Sequence, residues 1–118
     1  MHIERRTTDG VVVLAIAGDI TMNGREGLRI ADLVRTLVQE GRRHILLDLR
    51  RVRYVDSAGL GELVQAWSAA RNRGGRIGLL HVGGRLSELL VMTKLLTVFD
   101  CYESEPEAVA NLIDSPAR

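Results

Sequence analysis

The chain has 118 residues, enough for one domain over residues 1–118 and too few for two. Lysine and arginine number 16 against 15 acidic residues, and the hydrophobic fraction of 46% excludes a disordered chain. The single cysteine excludes an intramolecular disulfide and a cysteine-based metal cluster. No apolar run reaches the roughly 18 residues of a membrane span, and no signal peptide opens the sequence, so we expect a cytoplasmic protein with no membrane contact.

The basic residues do not form a nucleic-acid footprint. A cluster of five arginines brackets one apolar stretch and is interrupted by Asp48, and the aromatic content is only 3%, which leaves little for base stacking. The arginines of this cluster are Arg42, Arg43, Arg50, Arg51 and Arg53. We therefore expect no direct binding of nucleic acid.

The first half of the chain reads as a hairpin, a loop and a helix. Strands are predicted over residues 3–6 and 11–17, and Asp9-Gly10 between them is a turn signal because both residues tolerate positive φ. The run over 11–17 is apolar at every position, which indicates a strand covered on both faces. Gly18-Asp19-Ile20-Thr21 follows as a loop. Residues from about 24 to 40 predict an amphipathic helix, with apolar side chains at Ile30, Leu33, Val34, Leu37 and Val38.

Strands and helices alternate through the second half. A strand is predicted over 44–49, a loop over 50–56, and a helix that ends at Gly74-Gly75. A strand over 76–82, a third helical segment after Gly83-Gly84, a short strand over 98–102 and a helix opening at Pro106 complete the chain. This order predicts an α/β domain with a mixed, mainly parallel sheet of four to five strands, about four helices and an opening β-hairpin.

Some apolar residues near the third helical segment allow two interpretations. Met92, Leu95 and Leu96 belong either to the core or to a contact surface, and the general burial preferences of such side chains favour the core.

The segment over residues 54–63 carries the chemical signal, because α/β domains place functional loops between a strand and a helix. Ser57 occupies the position of a helix N-cap, and capping alone would account for it. Gly59 and Gly61 argue for more, since each costs about 1 kcal/mol relative to alanine in a helix. We interpret both glycines as leaving the turn bare for the approach of another macromolecule. Gly59→Val is then expected to weaken partner binding more than folding.

Catalysis is not predicted. A nucleophile elbow requires glycine two residues before the serine, where this chain has Val55. A dinucleotide-binding fingerprint starting at Gly59 and Gly61 requires a third glycine where this chain has Val64. No local motif connects a histidine to Ser57. Asp19 and Asp56 are acids on strand-to-helix loops, but no pocket chemistry surrounds them in the sequence. No set of residues has metal-ligand spacing, so no metal or cofactor is expected.

The motif Asp56-Ser57-Ala58-Gly59-Leu60-Gly61 after a core strand, with Gly18-Asp19-Ile20-Thr21 upstream, resembles the STAS domain, and more narrowly the bacterial anti-sigma factor antagonists. The resemblance covers essentially the whole chain. It implies that Ser57 is phosphorylated by a partner serine/threonine kinase that is also the anti-sigma factor. It also implies that Asp56 shapes the loop and that Asp19 and Thr21 lie beside the site and join the partner contact. Lys94 departs from the family, many of whose members have glycine there.

The same resemblance implies partner switching. The unphosphorylated chain would bind the anti-sigma factor through residues of the two loops, and so release a sigma factor, while phosphate on Ser57 would end binding. The expected contact residues are Asp19, Thr21, Asp56, Ser57, Ala58, Gly59, Leu60 and Gly61. A PP2C-type phosphatase would reverse the modification, and the chain is expected to be a monomer or weak dimer. The alternatives are a STAS scaffold subunit in a stress-signalling complex, and an accessory STAS subunit of a lipid or anion transporter.

Overall fold

A computed structural model describes residues 2–21 and 29–114. The described strands are β1 (His2–Thr8), β2 (Val11–Ile20), β3 (His44–Val55), β4 (Arg76–Leu80) and β5 (Asp100–Tyr102). The described helices are α1 (Arg29–Gln39), α2 (Ser57–Arg71), α3 (Gly84–Met92) and α4 (Glu105–Asp114). The part of the first predicted helix before residue 29 lies outside the described residues.

The five strands form one sheet in the order β1-β2-β3-β4-β5. β1 and β2 are antiparallel and are joined at Asp9 and Gly10, whose φ angles of 50° and 85° fit the tight hairpin turn. Each later neighbour is parallel to the one before it. These pairings confirm the predicted mixed, mainly parallel α/β sheet with an opening hairpin.

The two faces of the sheet are covered unequally. The larger core lies where α1, α2 and α3 pack on one face, because right-handed crossovers between successive parallel strands place their helices on the same side. On the other face α4 packs alone, with Ala108, Val109 and Leu112 against Val11 and Val13 of β2 and against Leu46 and Leu80 of the next two strands. The apolar run over 11–17 is therefore buried on both faces only where α4 reaches.

Two predicted loops are largely strand. β2 continues to Ile20 and β3 to Val55, so most of residues 18–20 and 50–55 pair with each other in parallel. The sequence did not indicate this, because Arg50, Arg51, Arg53 and Tyr54 are exposed and break the apolar pattern of a covered strand. Backbone hydrogen bonds extend the strands beyond the part of the sheet that α4 covers, while Ile20 and Val55 stay buried in the larger core on the other face.

The residues after α3 correct the predicted core. Met92 is 77% exposed, and Val91 and Leu96 are also exposed, while Leu95 is only partly buried. The prediction that Met92 and Leu96 belong to the core is wrong. α3 packs on the sheet through Leu86 and Leu90, and the turn that follows it faces outward. Lys94 in that turn has φ of 62°, the left-handed conformation in which glycine is favoured.

Candidate functional site

The motif lies where two neighbouring parallel strands end at the same edge of the sheet. Ile20 pairs with Val55 at the ends of β2 and β3, and Asp19 pairs with Tyr54 one step earlier. The backbone N–H of Asp56 donates to the carbonyl oxygen of Ile20 at 3.3 Å. The segments around Asp19 and Ser57, which lie 38 positions apart in sequence, are thus brought together, as the resemblance predicts.

Asp56, and not Ser57, is the N-cap of α2. Asp56 has extended backbone angles, with φ of −95° and ψ of −176°, and its Oδ1 accepts a hydrogen bond from the N–H of Gly59 at 2.7 Å. Its carbonyl oxygen accepts the N–H of Leu60 at 2.8 Å. The side chain that accepts a hydrogen bond from the first turn of α2 therefore belongs to Asp56. The interpretation that Ser57 caps α2 is wrong.

Ser57 is the first residue of α2, and its side chain is exposed. Within the described part of the chain, its hydroxyl has no hydrogen bond to another residue. The hydroxyl thus lies at the surface of a helix start, where the partial positive charge of the helix dipole favours an anion. This position is chemically suited to accept a phosphoryl group.

Gly59 is a packing residue, which contradicts the interpretation that both glycines leave the turn bare. A Cβ atom at residue 59 would overlap the carbonyl oxygen of Ile20 and would lie 2.7 Å from its carbonyl carbon. The close approach of α2 to the end of β2 therefore requires glycine there. This geometry argues against the prediction that Gly59→Val weakens partner binding more than folding, because a larger side chain would disturb the packing of α2 against β2. A Cβ at Gly61 would meet no atom within 4 Å, so packing does not require glycine there, and the original interpretation stays a prediction for that residue alone.

The predicted contact residues differ in exposure. Asp19 and Ser57 are exposed, and Thr21, Asp56, Ala58 and Gly61 are half-buried. Gly59 and Leu60 are buried, and Leu60 packs in the larger core. In this conformation Gly59 and Leu60 pack beneath the exposed part of the motif, and neither offers a side chain for contact with a partner.

Charged side chains surround the site. Arg53 Nε lies 3.6 Å from Asp19 Oδ1, and both side chains are substantially exposed. The guanidinium carbon of Arg85 lies 5.5 Å from the centre of the Tyr54 ring, which is 42% exposed, in a cation–π arrangement. Tyr54 and Arg85 were not singled out from the sequence, although an aromatic residue two positions before the motif acid was a visible signal in a chain with only 3% aromatic residues.

Glu62 is a further residue that sequence reasoning missed. It is only 5% exposed, and its Oε1 accepts a hydrogen bond from the backbone N–H of Ala31 at 2.9 Å. A side chain of α2 thereby satisfies an amide in the first described turn of α1. A glutamate among apolar helix positions was the available signal, but its acceptor role depends on the packing of two helices.

Other chemistry is sparse near Ser57. In residues 2–21 and 29–114 no group of three or more histidine, cysteine, aspartate or glutamate side chains is arranged to hold a metal ion. Burial, with the Asp100 charge as the second cause, raises the pKa of the Cys101 thiol and of the Tyr102 hydroxyl. Both groups belong to β5, away from the motif. None of the described helices is long and apolar enough to cross a membrane.

The sequence profile of the STAS domain matches residues 2–108. The chain therefore belongs to the STAS domain family, as its sheet order, its opening hairpin and the position of the motif indicate.

Relatives with stated roles resemble it over nearly their full length. The chain is 26% identical over 117 residues to the anti-sigma F factor antagonist of Paenibacillus polymyxa, covering 95% of each chain. It is similar to the crystal structure of an anti-sigma factor antagonist from Mycobacterium paratuberculosis, with 19% identity, a TM-score of 0.79 and coverage of 96% and 94%. It is also similar to the Bacillus cell fate determinant SpoIIAA in its phosphorylated form, with 18% identity, a TM-score of 0.71 and coverage of 93% and 98%. The two solved structures support the fold.

Proposed function

We propose that this chain is an anti-sigma factor antagonist controlled by phosphorylation of Ser57. In its unmodified form it binds an anti-sigma factor that is also a serine/threonine kinase, and this binding releases a sigma factor. The observation that carries the proposal is an exposed serine hydroxyl, without a hydrogen bond to the described residues, at the start of a helix in a STAS domain. The similar protein of Paenibacillus polymyxa, an anti-sigma F factor antagonist, supports it.

The proposed modification is a phosphoryl transfer from ATP. The Ser57 Oγ attacks the γ-phosphorus, ADP leaves, and the hydroxyl proton is lost to a base that the partner kinase supplies. In this chain, Asp56 holds the first turn of α2 in place through Gly59, so that the acceptor is presented on a fixed backbone. The chain itself performs no catalysis in this scheme. A PP2C-type phosphatase is the proposed source of the reverse hydrolysis.

The charge and the bulk of one phosphate are sufficient for the proposed loss of partner binding. Phosphorylation adds about −1.5 to −2 charges at pH 7. The neighbouring carboxylates of Asp56 and Asp19 make this edge more acidic, and the phosphate occupies the surface that would meet the partner. A hundredfold weaker complex corresponds to about 2.8 kcal/mol, which charge repulsion and steric exclusion can supply together. No rearrangement of the fold is required.

The experiment is incubation of the chain with its cognate anti-sigma kinase and ATP, followed by intact mass and site mapping. We expect one phosphate on Ser57, none on Ser57→Ala, and normal labelling of Ser68→Ala, a matched control in the same helix. Ser57→Ala should still bind the kinase, while Ser57→Asp should bind at least about tenfold more weakly, or about 1.4 kcal/mol. Phosphate at another residue, or unchanged binding of the phosphorylated chain, would contradict the proposal.

The alternative roles as a scaffold or transporter subunit give a different result in the same preparation. A scaffold subunit would elute as a large, stable assembly whose size does not respond to ATP. A transporter subunit would be captured by a membrane protein and not by the kinase. The proposed antagonist should elute as a monomer or weak dimer and form a complex with the kinase only before phosphorylation.

A further inference from the structure

A second candidate site lies on the opposite face of the sheet from α2. α4 covers Val11 and Val13 of β2, but the next residues on that face, Ala15 and Ala17, are only half-buried. A cavity of about 490 Å³ opens over them, which is within the usual size range of small-molecule sites. Charged side chains of three separate elements, β1, β3 and α4, line its walls. The cavity therefore combines a floor of small side chains with polar walls.

A bulge in β3 places two arginines in this cavity. Ala15 pairs with Asp48 and Ala17 with Arg51, so two steps along β2 correspond to three along β3. The extra residue disrupts the alternation of faces, and both Arg50 and Arg51 line the same cavity. Bulges that redirect side chains are frequent next to functional sites. Consecutive residues of a regular strand would have pointed to opposite faces.

The other ionisable side chains that β1, β3 and α4 contribute to the walls already have a polar contact each. Arg6 of β1 forms an ion pair with Glu105 of α4, and His2 lies 3.4 Å from Glu4. Asp48 accepts the backbone N–H of Arg50 at 3.1 Å, so it satisfies the backbone and not the guanidinium. Among the described residues, the guanidinium groups of Arg50 and Arg51 have no ion-pair partner. Two guanidinium groups without an ion pair to the described residues thus share one cavity.

His81 adds a third group at the end of β4. It lines the cavity and has φ of 57°, in the left-handed region, where histidine is found more often than most residues with a side chain. Its backbone N–H donates to the Tyr102 carbonyl oxygen at 2.9 Å, which keeps the residue in this conformation.

From this geometry we propose that the cavity binds a small, polyhydroxylated phosphate monoester. The fork of donors on each of Arg50 and Arg51 fits phosphate oxygens, and His81 supplies a further imidazole contact. The carboxylates of Glu4 and Asp48 flank Ala15 in direct register on the two neighbouring strands, where they can accept hydrogen bonds from hydroxyl groups. The proposal does not depend on the role of Ser57, which lies at the start of a helix on the other face.

The test is a titration of the ¹⁵N-labelled full chain with ribose 5-phosphate, followed by amide chemical shifts. We expect saturable shifts at Ala15, Ala17, Asp48 and His81, with a dissociation constant below about 1 mM at physiological salt. Inorganic phosphate alone and ribose alone should each bind at least about tenfold more weakly, since each offers half of the recognised groups. Absence of saturable shifts at these amides, or equal affinity for inorganic phosphate, would overturn the proposal.

Matched variants separate a built site from general attraction to arginine. Arg50→Gln with Arg51→Gln should weaken binding at least about tenfold, whereas Arg42→Gln with Arg43→Gln, the same charge loss just before β3, should change it less than about twofold. Ala15→Leu keeps every charge but fills the floor, and should also abolish binding. Equal losses in both arginine pairs would show a nonspecific cationic surface and contradict the proposal. Because all four arginines are exposed, the variants are expected to fold, and a thermal melt verifies this.

Discussion

At the start of α2, the residues that hold the helix in place differ from the residue proposed to be phosphorylated. Asp56 caps the helix, Gly59 allows the helix to approach Ile20, and neither task involves the Ser57 hydroxyl. Phosphorylation of Ser57 would therefore leave the helix cap and the contact of α2 with β2 in place. The two glycines of the motif look equivalent in the sequence, but only Gly59 lies against the end of β2.

Gly59→Ala is expected to destabilise the fold severely, because its Cβ would overlap the backbone of Ile20, which cannot move without breaking the β2–β3 pairing. We expect a loss of about 3 kcal/mol or more in the free energy of unfolding, at the upper end of overpacking effects. Gly61→Ala is the control and should be neutral or up to about 1 kcal/mol more stable. Urea denaturation of both variants measures the difference. Equal stabilities would show that α2 does not pack against Ile20 as described.

Lys94 is the second residue-scale test. Its φ of 62° places a residue with a side chain in the left-handed conformation after α3, which costs about 1–2 kcal/mol relative to the right-handed region. Lys94→Gly removes that cost but makes the unfolded chain more flexible, so a net gain of up to about 1 kcal/mol is expected. Lys94→Ala, which keeps a Cβ, should give no such gain. A gain as large in Lys94→Ala would assign the effect to charge instead of backbone conformation.

At the scale of elements, α2 organises its neighbours as well as carrying the motif. Its Glu62 side chain satisfies an amide of α1, and its Gly59 lies against the end of β2. The segment around Ser57 is thereby connected to both elements that flank residues 22–28. A buried hydrogen bond to a carboxylate is costly to leave unmade, which makes this connection strong.

Glu62→Ala is expected to lower the free energy of unfolding by about 1–3 kcal/mol, because the Ala31 N–H would be left without its acceptor in a buried place. Glu62→Gln retains an acceptor oxygen and should recover part of the loss. Hydrogen exchange at the Ala31 amide gives the local measurement and should accelerate in Glu62→Ala. An unchanged exchange rate at Ala31 would contradict the assigned hydrogen bond.

At the scale of the molecule, the two faces of the sheet have different roles. Three helices cover one face and position the motif at its edge, while α4 leaves part of the other face open. The proposed switch adds charge at an exposed helix start and alters no buried contact. In the proposed function, the fold is thus a support on which phosphorylation of Ser57 would change partner binding.

The phosphorylated chain is therefore expected to remain as stable as the unmodified one. Favourable interaction with the helix dipole and repulsion from Asp56 oppose each other, and the net effect on folding should stay within about 1 kcal/mol, or about 4 °C in melting temperature. Calorimetry of the two forms, with Ser57→Ala after the same kinase treatment as control, measures this. A much larger drop in melting temperature would indicate that phosphate acts by unfolding α2.

The sequence alone determined the α/β class, the hairpin and the position of Ser57 at a helix start, because hydrophobic period, turn residues and motif spacing are local properties. It did not reveal that β2 and β3 extend past their apolar runs, that Asp56 is the cap, that Gly59 lies against Ile20, or that Met92 is exposed. Those features were decided by tertiary structure, since each depends on which backbone groups from distant segments meet. The same holds for the bulge at Arg50 and Arg51, where strand register, and not residue type, selects the face to which two adjacent arginines point.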